Sequence, residues 1–472
     1  MLASDSHDTG KIINGGIPLR SRRRIKLAFT IVALVSLSSL YFLGQSSNFS
    51  SVRSKIWPTD IIPGVFGPGR NATWDARALE VKHAFQRGYR QYEKIAFPND
   101  ELRPMFNGSI NNFNFWGVTA IDSIDTMILM GLDDEYQRAK DHVSYTDFSY
   151  TKADGVPFFE TVIRYLGGLL SAYHLTQDQI FLSAADQVGK GLLPAFDTQS
   201  RLPSFAVDWV RHIPKDGWLP GQINLAEMAS CQLEYKYLAH LTHRSDYFTK
   251  PDYVTRFLQM RQGRDGLWTT LWEQRTGLPS NSLFTVGSGA DSTYEYLLKG
   301  YLLSGRTEKR LLKMHLIAAR EAIYKLVFLS RTRQLMYITE VDGDSPRGNM
   351  QHLSCFFPGV LALGNYLLDD SEISPSDREL FQWAAEGLAY TCWVLYADQI
   401  TGLGPEEVRF HPYNGDDNYE TGRWMRHLER WKGKGRKGGV PPGLKQPPPV
   451  PGKKYKQKDY DYVNGAYLLR PE

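Results

Sequence analysis

The sequence predicts an all-α protein built from repeated helical hairpins, and two observations carry that reading. Apolar residues recur with a 3.6-residue period over 81–95, 123–131, 159–174, 179–193, 225–241, 291–303, 310–329, 358–368 and 378–396, with short Gly-, Pro- or Asp-bearing loops between them. The end of one helix in each pair also repeats. Residues 170–176 read Leu-Ser-Ala-Tyr-His-Leu-Thr, 237–242 read Tyr-Leu-Ala-His-Leu-Thr, and 301–305 read Tyr-Leu-Leu-Ser-Gly. The period of about 60–66 residues is two helices plus their loops, and helix pairs that cannot bury their apolar faces alone must stack. Such a stack can stay an open solenoid or close into a ring, and the repeat does not choose.

The elements follow in chain order. Residues 1–26 carry six Lys/Arg against two acids. Arg20, Arg22, Arg23, Arg24 and Lys26 precede an uncharged run over 27–43. At about 1.5 Å per residue that run spans roughly 26 Å, enough for a thin bilayer. The expectation is a cytosolic basic tail at 1–26 and a transmembrane signal anchor at 27–44, with the basic flank inside. A cleaved signal peptide is the rival, which Gly44-Gln45-Ser46 leaves open. Residues 45–75, rich in Ser, Pro and Gly, read as a lumenal stem, and 76–472 as the folded domain. Sequons at Asn48, Asn71 and Asn107 all follow the apolar run. An oxidising lumen would favour pairing two of the three cysteines, Cys231, Cys355 and Cys392.

A hydrophobic content of 42% is enough for a sizeable core. The net charge of +4 hides its distribution: residues 423–458 alone carry twelve Lys/Arg against one acid. With both basic segments set aside the remainder is acidic, which excludes a nucleic-acid binder. The insert from about 422 to 462 combines like charge with Lys-Gly and Pro-Pro runs and reads as a disordered basic, Pro-rich loop.

Chemistry concentrates at 158–170. Glu160 and Arg164 stand at i and i+4 in an otherwise apolar helix, so they share one face. Taken alone, a helix ion pair at a core edge explains them better than a reactive carboxyl does. Asp291, before Ser292-Thr293-Tyr294-Glu295, has the spacing of a helix N-cap. Glu227, His352 and Arg470, taken singly, are ordinary polar residues. Glu472 ends the sequence as given.

Five motifs in order change the weight of these residues: Ile121-Asp122-Ser123-Ile124-Asp125-Thr126, the Glu160 stretch, Asp291-Ser292-Thr293-Tyr294-Glu295-Tyr296, His352-Leu353-Ser354-Cys355-Phe356-Phe357-Pro358-Gly359, and Leu468-Leu469-Arg470-Pro471-Glu472. From about Ala78 to Glu472 the chain resembles class I α-1,2-mannosidases, glycoside hydrolase family 47, of the fungal-type processing kind. The resemblance implies an (αα)7 barrel with its active site in the bore, and inverting hydrolysis of terminal α-1,2-linked mannose from high-mannose N-glycans in the endoplasmic reticulum or Golgi.

Residue by residue, the resemblance makes Glu160 the general acid, Asp291 a second catalytic carboxylate and Glu472 the base. Arg164, Glu227, His352 and Arg470 become substrate-binding residues, and Cys355–Cys392 a disulfide. Cys231 is left as a buried thiol. Gly289 stands where the family carries Arg or Leu, at a position that influences branch choice. A Ca²⁺ ion is implied as cofactor, but its threonine ligand has no counterpart here, so the metal residue is unknown. At the observed period 76–472 holds about six hairpins, so the chain reads as lacking the last one. The alternatives are a glycan-binding factor in disposal of misfolded glycoproteins and an inactive truncated form.

Overall fold

The computed structural model describes residues 72–262, 266–414, 418–444 and 459–466. Two compact units divide the chain between Gln86 and Arg87. The described part of the first is the opening of helix α1 (Ala72–Ile95), so the last residues assigned to a stem are helical. The expected tail at 1–26 and anchor at 27–44 lie outside the described residues, among which no helix is long and apolar enough to cross a membrane.

The second unit is mostly helical. Short helices α2 (Val118–Asp122) and α3 (Ile124–Met130) lead into α4 (Asp133–Tyr145). The next hairpin begins with α5 (Phe158–Glu160), widens into a π turn (Thr161–Leu166), and continues as α6 (Gly167–Thr176) before α7 (Gln179–Leu192). Then come α8 (Leu225–Ala229) and α9 (Gln232–Thr242) with α10 (Ser245–Arg261). Two further hairpins follow: α11 (Asp291–Leu303) with α12 (Lys309–Leu326), and α13 (Phe356–Leu367) with α14 (Pro375–Ala397). Within each hairpin the partners pack together, and α3, α6, α9, α11 and α13 pack on one another in succession. The hairpins repeat one direction, so the N-terminal ends of these first helices gather at one end.

Local chemistry sets the boundaries. Asp178 accepts the Ile180 N–H at 3.0 Å and starts α7. Ser374 accepts the Asp377 N–H at 3.1 Å, and Pro375 opens α14. The recurring Leu-Thr endings close on left-handed residues, Gln177 at φ 59° and His243 at φ 58°.

Several sequence expectations need correction. The fold is not purely helical: among the described residues six small antiparallel sheets form in the connections. The segment expected to stay helical to 329 turns at Leu326 into strand β1 (Val327–Leu329), paired with β2 (Met336–Ile338), because its β-branched and aromatic residues fill a buried sheet face. Helix 225–241 breaks at Ser230–Cys231 into α8 and α9. Helices α4 and α10 were not expected: α4 buries little more than Ala139 and Val143 on an otherwise polar helix, and α10 has Pro251 inside it.

The basic insert is ordered at its start. Helix α15 (Trp424–Gly433) buries Trp424, Met425 and Leu428. Arg423 donates to the Lys325 carbonyl at 2.7 Å. An apolar stripe beneath a cationic face folds where charge density alone implied disorder. Residues 445–458 of the insert lie outside the described residues.

Three strands frame one end of the unit: β3 (Asn349–Gln351), β4 (Glu407–Phe410) and β5 (Tyr460–Asn464), all antiparallel. Arg333 fastens β5 from beneath. It donates to Asp398 at 2.8 and 2.9 Å and to Asp459, and both carboxylates are buried. The Cys355–Cys392 disulfide is present, with Cα atoms 5.9 Å apart, and joins the start of α13 to α14. Cys231 is a buried free thiol.

Candidate active site

Glu160 is the last residue of α5, and Arg164 lies in the π turn that follows. Arg164 Nε donates to Glu160 Oε2 at 2.7 Å. Its Nη1 lies 3.8 Å from Asp122 Oδ2, and its guanidinium covers the Phe113 ring at 5.1 Å. Both charged partners are about a third exposed, 37% for Arg164 and 34% for Glu160. An exposed pair of this kind contributes less than about 1 kcal/mol to stability. What the pair secures is geometry, since Arg164 fixes the Glu160 carboxyl. π turns inside α-helices occur often at functional sites.

Two features bring Asp122 to this place. Gly168 packs α6 so closely on α2 that a Cβ there would lie 3.1 Å from the Ile121 carbonyl. Fully buried Asp100 accepts the backbone N–H groups of Phe113 and Phe115 at 2.9 Å and Gly117 at 2.8 Å, and so holds the loop under Arg164. The Asp122 side chain is 41% exposed, with its carboxyl crowded by protein beside Arg164. Desolvation pushes its carboxyl up to about 6; Arg164 opposes the rise, and Asp125 and Glu160 add to it.

Glu227 belongs to a second group. It is the third residue of α8, and its Oε2 accepts the Asn224 N–H at 3.4 Å in a capping box. Burial raises its pKa, the Asn224 hydrogen bonds oppose this, and the nearby Glu160 charge adds to it. Asp291 begins α11, but the N-cap is Ala290. The capping role read from the sequence is therefore corrected: Asp291 is the first helical residue, and its Oδ1 accepts the Ser292 N–H at 2.8 Å.

The loop before Asp291 docks on α8, where Ala226 N donates to the Gly289 carbonyl at 3.0 Å. Ser230 and Ser292 hydroxyls meet at 2.6 Å. Gly289 adopts φ +82°, and a Cβ there would find Asn224 Oδ1 at 3.5 Å. Phe205, Trp218, Leu219, Gln222 and Asn224 line a shallow groove beside Glu227.

A third group stands on the sheet. Gln351 Oε1 accepts the Ser288 N–H at 2.6 Å, linking β3 to the Asp291 loop. His352 is buried, and its Nε2 is hydrogen bonded to the Tyr396 hydroxyl. His352 N donates to the Glu406 carbonyl, and Glu406 N to the Ala466 carbonyl, both at 2.9 Å. Thus the chain just past β5 reaches Glu406 at Ala466, four residues before Arg470. Arg470 and Glu472 themselves lie outside the described residues.

The structure therefore brings Glu160 and Arg164 into one cluster with Asp122, docks Glu227 on the Asp291 loop, and puts His352 on the sheet tied to that loop. Sequence reasoning did not single out Asp122, Asp100 or Glu406 as site residues. Asp122 lies in the first of the five motifs, but its partner Arg164 is distant in sequence. Among the described residues no group of three or more His, Cys, Asp or Glu side chains could hold a metal ion. No residue is assigned as a calcium ligand.

The family model for glycosyl hydrolase family 47 matches residues 84–472. The endoplasmic reticulum mannosyl-oligosaccharide 1,2-alpha-mannosidase of Mus musculus is 34% identical over 78% of this chain and 53% of its own length. The protein of that name from Homo sapiens is 34% identical over 78% of this chain and 52% of its own length. The chain thus spans about half the length of these curated relatives. Among solved structures, an alpha-1,2-mannosidase from Trichoderma reesei superimposes with a TM-score of 0.70 at 28% identity, covering 84% of this chain and 78% of that one.

Proposed function

This chain belongs to glycosyl hydrolase family 47, and from that premise we propose that it hydrolyses terminal α-1,2-linked mannose from high-mannose N-glycans with inversion. The observation that carries the reading is the Glu160–Arg164–Asp122 cluster, a carboxyl held by a guanidinium at 2.7 Å on a π turn.

In the proposed reaction Glu160 protonates the leaving glycosidic oxygen as the bond to C1 breaks. Arg164 occupies Oε2, so the proton travels on Oε1, directly or through a water. A carboxylate across the ring takes a proton from the water that attacks C1. Asp291 and Glu472 are the proposed carboxylates on that side. Inversion needs the acid and base about 6.5–9.5 Å apart to admit the water. Glu227, His352 and Arg470 are the proposed substrate contacts, and the groove at Trp218 offers an aromatic wall beside Glu227.

The relatives named as endoplasmic reticulum enzymes support a place in the secretory pathway, and the lumen of the endoplasmic reticulum or Golgi is the proposed compartment. The anchor at 27–44 is the proposed membrane attachment, with the basic tail cytosolic. The disulfide fits an oxidising lumen.

The test is mannose release from a Man9 N-glycan by the full chain, with and without EDTA. Release by wild type and its loss in Glu160→Gln support the reading. Absence of release with calcium supplied counts against it. The EDTA arm reads the calcium requirement that the resemblance implies.

A further inference from the structure

Glu234 is a carboxyl that the proposed reaction does not use. It lies on α9, seven residues after Glu227. Tyr296 of α11 donates its hydroxyl to Glu234 Oε1 at 2.7 Å. Glu234 Oε2 is shut off from solvent and has no hydrogen-bond partner among the described residues. The side chain leans on Gly167, the residue that follows the π turn. A Cβ built on Gly167 would meet both Cγ and Oε1 of Glu234 at 3.8 Å, an ordinary van der Waals distance, so the Glu234 carboxyl stands next to the residue that follows the π turn.

Three site-bearing segments meet at this carboxyl. The π turn and α6 continue from Glu160 and carry Arg164. Helix α9 continues from α8 and Glu227. Helix α11 begins with Asp291. Segments α8 and α11 are already joined by the Ser230–Ser292 contact at 2.6 Å and the Ala226–Gly289 bond at 3.0 Å. Glu234 adds the contact of both with the residue that closes the π turn.

We infer that Glu234, in its neutral form, is a positioning residue that sets the spacing between the Glu160-bearing turn and the Asp291-bearing helix. The inference deepens the hydrolytic reading and rests on it for its activity arm alone. The neutral acid suits the place because a charge on Oε2 would have no partner in a dry contact. Burial pushes the carboxyl up to about 7.

Groups from four helices face Glu234. From α11 come Tyr296, Lys299 and Glu295, the last two paired with each other. On its own helix Cys231 is a buried thiol raised by desolvation, and Lys236 is committed to Glu308 at 2.7 Å. From α6 the contact is Gly167, which carries no charge. Helix α7 meets α9 through Tyr235, whose hydroxyl donates to the Gly189 carbonyl at 2.9 Å.

The sign follows from the raised pKa. Between the ordinary value of 4.5 and about 7 the folded protein holds a proton that the unfolded chain has released. Stability therefore declines as pH rises through that window.

The experiment compares the full-length wild type with Glu234→Gln, Glu234→Ala and Tyr296→Phe. Tm is recorded from about pH 4.5 to 8, hydrogen exchange is followed over 161–170, and kcat and KM are measured on Man9 glycan. Glu234→Gln, a permanent mimic of the neutral acid, should keep the acid-side Tm and flatten the decline toward neutrality. Its alkaline limb of kcat should move up by about one pH unit. Glu234→Ala should lose about tenfold in kcat with KM within about twofold, and residues 161–170 should exchange faster.

Parallel Tm–pH curves for wild type and Glu234→Gln, or unchanged exchange and kcat in Glu234→Ala, would overturn the inference. Should Glu234→Ala fail to fold, Glu234→Gln and Tyr296→Phe still decide it through the Tm–pH curve. If wild type releases no mannose, the hydrolytic reading falls, while the Tm and exchange comparisons continue to judge Glu234.

Discussion

Glu160 and Arg164 could be found in the sequence because both lie on one helix at i and i+4. Asp122 could not be singled out, because it reaches Arg164 across two helices, through a close approach at Gly168 that no local pattern announces. Its carboxyl, raised to about 6, yields a pH prediction. Above that pH ionised Asp122 pairs with Arg164 and holds it on Glu160. Below it the neutral acid releases the guanidinium. Activity should rise with pH through about 6, and Asp122→Asn should remove that limb from the kcat profile while lowering kcat. Glu160→Gln removes the proposed proton donor and should lower kcat by about 10²–10⁴-fold. Its Tm should stay within about one degree of wild type, because the pair it breaks is solvent-screened.

Helices α7, α11 and α14 were legible because their apolar residues recur at 3.6 over 13 residues or more, even though the Asp291 cap read for α11 falls one residue off. Helix α15 was hidden by its composition: the Trp424, Met425, Leu428 stripe is short, and the lysines and glycines after it dominate any local average. Strand β1 was read as more helix because a short apolar run carries no period of its own. These elements make stability predictions. Leu428→Ala should cost about 2–5 kcal/mol in denaturant unfolding, since Leu428 is fully buried. Arg333→Met would strand Asp398 and Asp459, which are 1% and 0% exposed, without their shared partner. Breaking a buried pair in this way costs about 3–5 kcal/mol. Because Arg333 fastens β5, the variant should also lose mannose release out of proportion to its folded fraction.

At the scale of the molecule, the repeat implies hairpins but not closure, since stacking and ring closure use the same local pattern. Position along the repeat is what gathers the site: Glu160, Glu227, Asp291 and His352 all stand near the starts of first helices, and successive hairpins run the same way. The Cys355–Cys392 bond closes 37 residues between two helices of one hairpin, directly beside His352 and Tyr396. Replacing both cysteines with serine should lower stability by about 2–4 kcal/mol.

Glu160 is proposed to drive hydrolysis with inversion. The most direct test is proton NMR of the first mannose released from Man9 glycan by wild type and Glu160→Gln. β-Mannose appearing before mutarotation, and absent with Glu160→Gln, is the predicted result. α-Mannose as the first product, or undiminished release by Glu160→Gln, would contradict the account.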